Sequence, residues 1–142
     1  MLKIYGPARS RASRSLWMAE EIGLPYEHID FAGMEADERN EVLTAVNPMA
    51  KVPAIEDGDL KLFESMAINL YLAKTYGGDL HARDPANEAL AWQWSVWVMT
   101  EIEPPQMDIV VQKFFTPEER RSADAIAAAE KTLARPLKVL DE

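Results

Sequence analysis

The stretch from residue 47 to residue 65 decides the fold. It begins Asn47-Pro48-Met49-Ala50-Lys51-Val52-Pro53 and ends, one hairpin later, on Phe63-Glu64-Ser65. Asp57-Gly58 predicts a tight turn between a strand over Val52–Glu56 and a strand over Leu60–Phe63. The second strand then delivers Glu64 and Ser65 to the start of a helix. A hairpin that leads into a helix N-terminus is therefore expected at the centre of this domain.

The same residues predict a binding site for a small peptide. Pro53 is tolerated at the start of a strand because the first position need not donate to the ladder. If the Val52–Pro53 bond is cis, which is inexpensive only before proline, the N–H and C=O of Val52 face outward. These groups could pair with an extended peptide. The free N–H groups at the helix start near Ser65 suit a carboxylate, and Glu64 could bind an ammonium group.

Residues 47–77 carry a resemblance to a known family in the sequence NPMAKVPAIEDGDLKLFESMAINLYLAKTYG. This segment resembles the glutathione-binding half of a cytosolic, serine-type glutathione S-transferase, nearest to the phi and theta-like classes and their bacterial relatives. The resemblance is close from Met1 to about Gly78 and looser beyond it. One departure is Ala50, which stands where the family usually has glycine before the KVP triplet. The resemblance implies glutathione as the peptide ligand and cosubstrate.

Composition excludes several other classes. The 142 residues carry a net charge of −9, which argues against a nucleic-acid partner because phosphate binding needs a concentrated basic face. The chain has no cysteine, which excludes a thiol nucleophile or a Cys-x-x-Cys redox centre. No apolar run is long enough for a membrane span, and residues 1–7 lack signal-peptide character. We therefore expect a cytoplasmic protein without membrane association. His28 and His81 are far apart in sequence, so no metal site is expected.

The order of predicted elements over residues 1–78 is β-α-β-α-β-β-α, the order of a thioredoxin-like domain. Besides the hairpin, hydrophobic periodicity predicts strands and helices over five ranges: Leu2–Tyr5, Ser10–Ile22, Tyr26–Asp30, Ala36–Val46 and Ser65–Tyr76. The polar, turn-rich residues 79–85 are expected to form a linker. The fold class is therefore α/β plus all-α, with an incomplete helical domain over residues 86–142.

The helical part has its own start and stop signals. A helix is predicted from Asn87 to about Glu103, and Pro104-Pro105 is expected to kink or break it before helical pattern resumes over Gln106–Phe115. Thr116 as N-cap and Pro117 in the first helical position predict a last helix running toward Leu140. Its apolar stripe comprises Ile126, Leu133, Leu137 and Leu140. The resemblance implies further helices, so we expect this chain to be a fragment.

Three hydroxyl groups are candidates for activating the thiol of glutathione. Ser10 is the first, because it lies where helix N–H groups are free and aligns with the catalytic serine of the family pattern of Ser, two residues, Ser or Thr, then Arg (here Ser10 to Arg14). Ser13 is the second. Tyr5 is the third, because other classes use a tyrosine near the end of the first strand. Ser10 could instead serve only as a helix cap.

The resemblance also assigns the remaining glutathione contacts. Val52 pairs with the cysteinyl part, Pro53 holds the turn, Glu64 and Ser65 hold the γ-glutamyl end, and Lys51 approaches the glycine carboxylate. Arg11 belongs to a local group of arginines around the first helix, where cations are electrostatically disfavoured. Attraction of an anion would explain this group of arginines. A solvated face, on which they pair with acidic residues elsewhere, would explain it equally well. Lys51 could likewise be an ordinary exposed lysine.

The resemblance implies a transferase that attacks a small hydrophobic electrophile with the glutathione thiolate, in detoxification and as a homodimer. A glutathione-dependent peroxidase or isomerase would use the same site. A non-catalytic binding or assembly module is the alternative from another class. Trp94, Trp97 and Met99 could line the electrophile site, although aromatic residues at such spacing also form cores.

Overall fold

The first part of the chain is built on a mixed four-stranded sheet. The computed structural model describes residues 1–142, which divide into two units, Met1–Glu88 and Ala89–Glu142. The strands of the first unit are Leu2–Tyr5 (β1), Tyr26–Ile29 (β2), Ala54–Asp57 (β3) and Leu60–Phe63 (β4). They lie in the order β2-β1-β3-β4, with β1 parallel to β2 and antiparallel to β3. This is the thioredoxin-like sheet that the sequence predicts.

Three helices cover the two faces of this sheet. They are Ala12–Ile22 (α1), Ala36–Val46 (α2) and Ser65–Tyr76 (α3). Side chains of α1 and α3 share one apolar cluster with Ile4 and Ile55, whereas α2 packs in a second cluster with Tyr5 and Ala54. Because neighbouring residues of a strand point to opposite faces, β1 and β3 each contribute to both clusters.

Two predicted boundaries at the site are wrong by two residues each. The first helix begins at Ala12 rather than Ser10, because the Ser10 N–H donates to the carbonyl of Pro7 (2.9 Å) in a preceding turn. The third strand begins at Ala54 rather than Val52, since its pairing with β1 starts at Ala54 opposite Tyr5. Pro53 has no N–H to donate, and the turn before it keeps Val52 out of the ladder. The predicted limits of β1, β4, α2 and α3 are confirmed.

In the second unit the chain stays helical through the two prolines. Helix α4 spans Pro85–Trp97, so the division between the units falls within it, and a π-helical turn over Val98–Ile102 follows. Helix α5 spans Glu103–Val110 and carries Pro104 and Pro105 in its first turn, the part of a helix in which proline is best tolerated. The predicted disruption therefore takes the form of the π-helical turn before the prolines. A second π-helical turn over Val111–Phe115 ends this stretch.

The predicted start of the last helix is wrong. Helix α6 spans Ala123–Asp141, and its N-cap is Ser122, whose Oγ accepts a hydrogen bond from the N–H of Ala125 (3.1 Å). The hydroxyl of Thr116 instead donates to the carbonyl of Val111 (2.9 Å). Along α6 the buried positions are Ala129 and Pro136; of the predicted stripe, Ile126 and Leu133 are half-buried and Leu137 and Leu140 are exposed. No helix is long and apolar enough to cross a membrane.

We expect Ser122→Ala to lower the free energy of unfolding by about 1 kcal/mol, because the N–H of Ala125 loses its acceptor. Urea unfolding followed by circular dichroism measures the change. Ser122→Asp is the matched control, since it keeps an oxygen acceptor and adds a charge that the helix N-terminus favours. A larger loss for Thr116→Ala than for Ser122→Ala would place the functional cap at Thr116.

Candidate functional site

Gly6 brings three separate segments of the first unit together. It follows β1 with a φ of 128°, a conformation that favours glycine, and its N–H donates to the carbonyl of Ile29 (2.9 Å). A Cβ atom at this position would lie 2.8 Å from the Cβ of Ala12 and 2.8 Å from the Cβ of Val52. The start of α1 and the loop before β3 can therefore approach the end of β1 only because this residue has no side chain.

The loop before β3 is held by a buried amide. The Asn47 side chain, 2% exposed, donates from Nδ2 to the carbonyl of Lys51 (2.7 Å) and accepts at Oδ1 from the N–H of Met49 (3.0 Å). Ala50 has a φ of 50°, in the left-handed region that favours glycine, which explains why glycine is usual at this position. The side chain of Lys51 is exposed.

The Val52–Pro53 peptide bond is cis, the isomer on which the predicted peptide site depends. Pro53 is buried and Val52 is half-buried. No hydrogen bond within the chain uses the N–H or the C=O of Val52. Both groups are consequently available to a peptide ligand that runs alongside this residue.

Helix α3 begins without a capping side chain. Its N-cap residue is Glu64, which is exposed and has a φ of 74°, a conformation that is rare and strained for any residue other than glycine. Ser65, the first residue of α3, is 5% exposed. The free N–H groups at such a helix start and the positive end of its dipole favour an anion.

Two residues that were absent from the predicted site link α1 to α3 through hydrogen bonds. Arg14 of α1 donates from Nη1 to the Oγ of Ser65 (3.2 Å). Asn69 of α3 donates from Nδ2 to the backbone carbonyl of Arg14 (3.2 Å). The only sequence signal for this contact is Arg14 as the last member of the Ser10–Arg14 pattern. Asn69 had no signal, because its partner is 55 residues away.

The two candidate serines lie at the start of α1 in different environments. Ser10 is half-buried; its hydroxyl donates to the carbonyl of Pro7 (2.7 Å) and accepts from the N–H of Ala12 (3.1 Å). It therefore satisfies one N–H group of the first turn of α1. Ser13 is exposed on the helix itself, and Arg11, also exposed, occupies the N-cap position. Of the two serines, Ser10 is the one whose hydroxyl already bonds a backbone N–H at the start of α1.

Tyr5 is poorly suited to activate a thiol. Its side chain is 5% exposed, and its hydroxyl donates to the carboxylate of Glu56. Burial, together with this hydrogen bond and the negative charge of Glu56, raises the pKa of the Tyr5 hydroxyl well above its usual value. Lys3 and Lys61 form further ion pairs with Glu56, at 3.9 and 3.7 Å. The geometry thus assigns Tyr5 to a polar cluster within the fold.

A cavity of about 610 Å³ lies beside the loop between β1 and α1. His28 borders it, with Nε2 2.8 Å from the carbonyl oxygen of Gly6, so this histidine is engaged with the backbone of that loop. No group of three or more potential ligand residues in the structure could hold a metal ion. The full lining comprises Pro7, Ala8, Arg9, His28, Asp30, Phe31, Ala32, Gly33 and Arg39.

The aromatic residues predicted for a second substrate lie on α4. The rings of Trp94 and Trp97 are 5.2 Å apart in an edge-to-face arrangement, and Trp94 is 40% exposed. Met99 follows in the π-helical turn and is half-buried. Their partial exposure leaves apolar surface on this unit.

The four-stranded mixed sheet and the three helices that cover it define the class as a thioredoxin-like domain. The comparison with family models specifies it further: the model described as "Glutathione S-transferase, N-terminal domain" matches residues 1–74. The chain belongs to the glutathione S-transferase family.

Individual relatives agree with this assignment. The chain is 40% identical over 116 residues to a glutathione S-transferase of Hyoscyamus muticus, covering 79% of this chain and 52% of that protein. It is 30% identical over 146 residues to glutathione S-transferase F10 of Arabidopsis thaliana, covering 99% and 68%. The chain spans about half the length of several such relatives.

Solved structures show the same similarity. A theta class glutathione S-transferase from Xanthomonas axonopodis pv. citri with glutathione bound is 33% identical, with a TM-score of 0.85 over 99% of this chain and 70% of that one. Poplar glutathione transferase F1 is 27% identical, with a TM-score of 0.85 over 98% and 67%.

Proposed function

We propose that this protein is a glutathione transferase, which activates bound glutathione as a thiolate for attack on an apolar electrophile. The observation that carries the proposal is the similarity over 99% of the chain to the glutathione-bound Xanthomonas enzyme. The unpaired backbone of Val52 and the uncapped start of α3 support it, because each offers what one part of glutathione needs.

In this proposal the peptide backbone of glutathione pairs with Val52, while Pro53 holds the turn. The γ-glutamyl end lies at α3, where Glu64 binds the ammonium group and Ser65 with the helix N–H groups binds the carboxylate. Lys51 approaches the glycine carboxylate. Arg11 adds positive charge near the start of α1. Every one of these contacts belongs to the first unit.

Ser10 is the proposed thiol-activating residue. A thiol has a pKa of ~8.5, so little of it is ionised at neutral pH. A hydroxyl that donates a hydrogen bond to the sulfur stabilises the thiolate. To do so, the Ser10 hydroxyl turns away from the carbonyl of Pro7 while its oxygen continues to accept from Ala12. The thiol proton passes to solvent, the sulfur forms a bond to the electrophile, and the leaving group departs with its electron pair.

We propose a small hydrophobic electrophile, with Trp94, Trp97 and Met99 as lining residues, a cytoplasmic location, a role in detoxification and a homodimer. Sedimentation velocity over a range of concentrations tests the homodimer. A monomer at every concentration would contradict it.

Calorimetric titration with glutathione, combined with a conjugation assay using a generic aromatic electrophile, tests the proposed function. Binding together with turnover supports a transferase. Binding without turnover of several electrophiles would favour the non-catalytic binding module instead. Absence of binding would mean that the residues around Val52 and Ser65 are retained only as scaffold.

We expect Glu64→Gly to raise the free energy of unfolding by about 1 kcal/mol, because glycine adopts the φ of 74° without strain. The same variant should bind glutathione about tenfold more weakly, since the ammonium group loses its partner. Urea unfolding and calorimetry measure the two effects. Glu64→Ala is the matched control: it loses the carboxylate but keeps the strained backbone, so only affinity should fall. Unchanged affinity in both variants would remove Glu64 from the site.

A further inference from the structure

We infer that Arg14 is a positioning residue for glutathione, which fixes the hydroxyl of Ser65 so that its proton points at the γ-glutamyl carboxylate. This inference rests on the proposed function, and it concerns a residue that does not itself contact the thiol. Two hydrogen bonds, both between α1 and α3, carry it. They join Arg14 to Ser65 and Asn69 to Arg14.

The hydrogen bond from Arg14 leaves the Ser65 hydroxyl with a proton to donate. A guanidinium group has only donors, so the Oγ of Ser65 is the acceptor in the 3.2 Å bond from Arg14. The hydroxyl has a single proton, and no other hydrogen bond of the Ser65 side chain exists within the chain. That proton is therefore directed to an acceptor that is not part of the protein. An anionic oxygen at the start of α3 is such an acceptor.

Arg14 also affects how strongly the Ser65 hydroxyl binds a carboxylate. A hydroxyl that accepts from a cation becomes a better donor, because successive hydrogen bonds in a chain polarise one another. Ser65 is 5% exposed, so water competes little for its proton. A charge-assisted bond to a carboxylate is roughly twice as strong as a neutral one. Arg14 thus increases the contribution of Ser65 to carboxylate binding through the hydroxyl oxygen.

Asn69 ties the backbone of Arg14 to α3. Asn69 lies four residues after Ser65, on the same face of α3, and donates to the carbonyl of Arg14. Arg14 is therefore held at its backbone by one turn of α3 while its side chain reaches the preceding turn. The Oδ1 of Asn69 is buried and has no partner, so the amide nitrogen bond is what orients this side chain. The two hydrogen bonds thus join α1 to the first turns of α3.

Arg14→Met tests the inference with two ligands. One is glutathione, and the other is 4-aminobutyryl-cysteinyl-glycine, which lacks only the α-carboxylate of the γ-glutamyl residue. We expect the variant to bind glutathione about tenfold more weakly and the analogue within about twofold of wild type. Arg83→Met is the matched control, because it removes the same charge from an exposed arginine paired with Asp79. It should leave both affinities unchanged.

An equal loss for both ligands in Arg14→Met would overturn the inference, because a purely structural role affects the whole site. If the wild-type protein binds neither ligand, the proposed function itself fails. If Arg14→Met does not fold, Arg14→Lys can be measured instead, alone and in combination with Ser65→Ala. As a single substitution, Arg14→Lys should weaken glutathione binding several-fold. Combined with Ser65→Ala, it should weaken binding no further than Ser65→Ala does alone. If Arg14→Lys weakens glutathione binding as much in the Ser65→Ala variant as it does in the wild-type protein, the inference is also overturned.

Discussion

Ser10→Ala is expected to lower kcat about 100- to 1,000-fold while changing the affinity for glutathione less than about threefold. In the proposed mechanism the Ser10 hydroxyl stabilises negative charge on the sulfur, so its loss should raise the pKa of the bound thiol and leave the proposed peptide contacts at Val52 intact. Steady-state conjugation kinetics measure kcat, and calorimetry measures affinity. The pH dependence of thiolate absorbance reports the pKa directly.

Ser13→Ala is the matched control for this result. Ser13 is an exposed serine three residues further along the chain, so its removal should leave both the rate and the thiol pKa unchanged. If Ser10→Ala keeps the wild-type rate and Ser13→Ala loses it, the activating hydroxyl belongs to Ser13. Ser10→Ala also removes the acceptor for the Ala12 N–H, at a cost of about 1 kcal/mol in stability, so kinetics are compared well below the unfolding temperature.

Gly6→Ala is expected to lower the free energy of unfolding by about 3 kcal/mol. The new Cβ would lie 2.8 Å from the Cβ atoms of both Ala12 and Val52, and the φ of 128° is unfavourable for alanine. Relief of the overlap requires the start of α1 and the loop at Val52 to move away from residue 6. Glutathione affinity should therefore fall together with stability. Urea unfolding and calorimetric titration measure the two effects.

Gly23→Ala measures the energetic cost of a left-handed backbone conformation in the absence of steric overlap. Gly23 ends α1 with a φ of 70°, but a Cβ there would meet no atom within 4 Å. Alanine at this position should cost only about 1–2 kcal/mol, the usual penalty for a left-handed conformation, and should leave glutathione affinity unchanged. Equal destabilisation by Gly6→Ala and Gly23→Ala would show that the close approach at Gly6 has no energetic importance.

Much of the first unit could be predicted because its signals are local. The helix α1 ends at Gly23 as expected, and α3 ends before Gly77, where the chain leaves the helix. The hairpin between β3 and β4 also follows directly from Asp57-Gly58. In each case a glycine or a turn pair acts on its immediate neighbours, so no distant residue is needed to decide the outcome.

The start of α6 shows where local signals fail. Thr116-Pro117 satisfies the rules for a helix start, yet α6 begins after Ser122. The structure decides through the Gln112 side chain, whose Oε1 accepts from the N–H of Ser122 (2.8 Å), and through Arg121, whose Nε donates to the carbonyl of Thr116 (3.0 Å). These contacts join residues five to ten positions apart, beyond the reach of a capping pattern.

The sequence by itself determined the thioredoxin-like order of elements, the loop at Val52–Pro53 and the family to which these motifs point. These depend on local backbone preferences and on a pattern confined to 31 residues (47–77). Only the tertiary structure decided that Tyr5 is committed to Glu56 and that Arg14 reaches Ser65, since each pair is separated by 51 residues. A hydrogen-bond partner that distant is chosen by packing of the sheet and helices, and no periodicity in the chain encodes it.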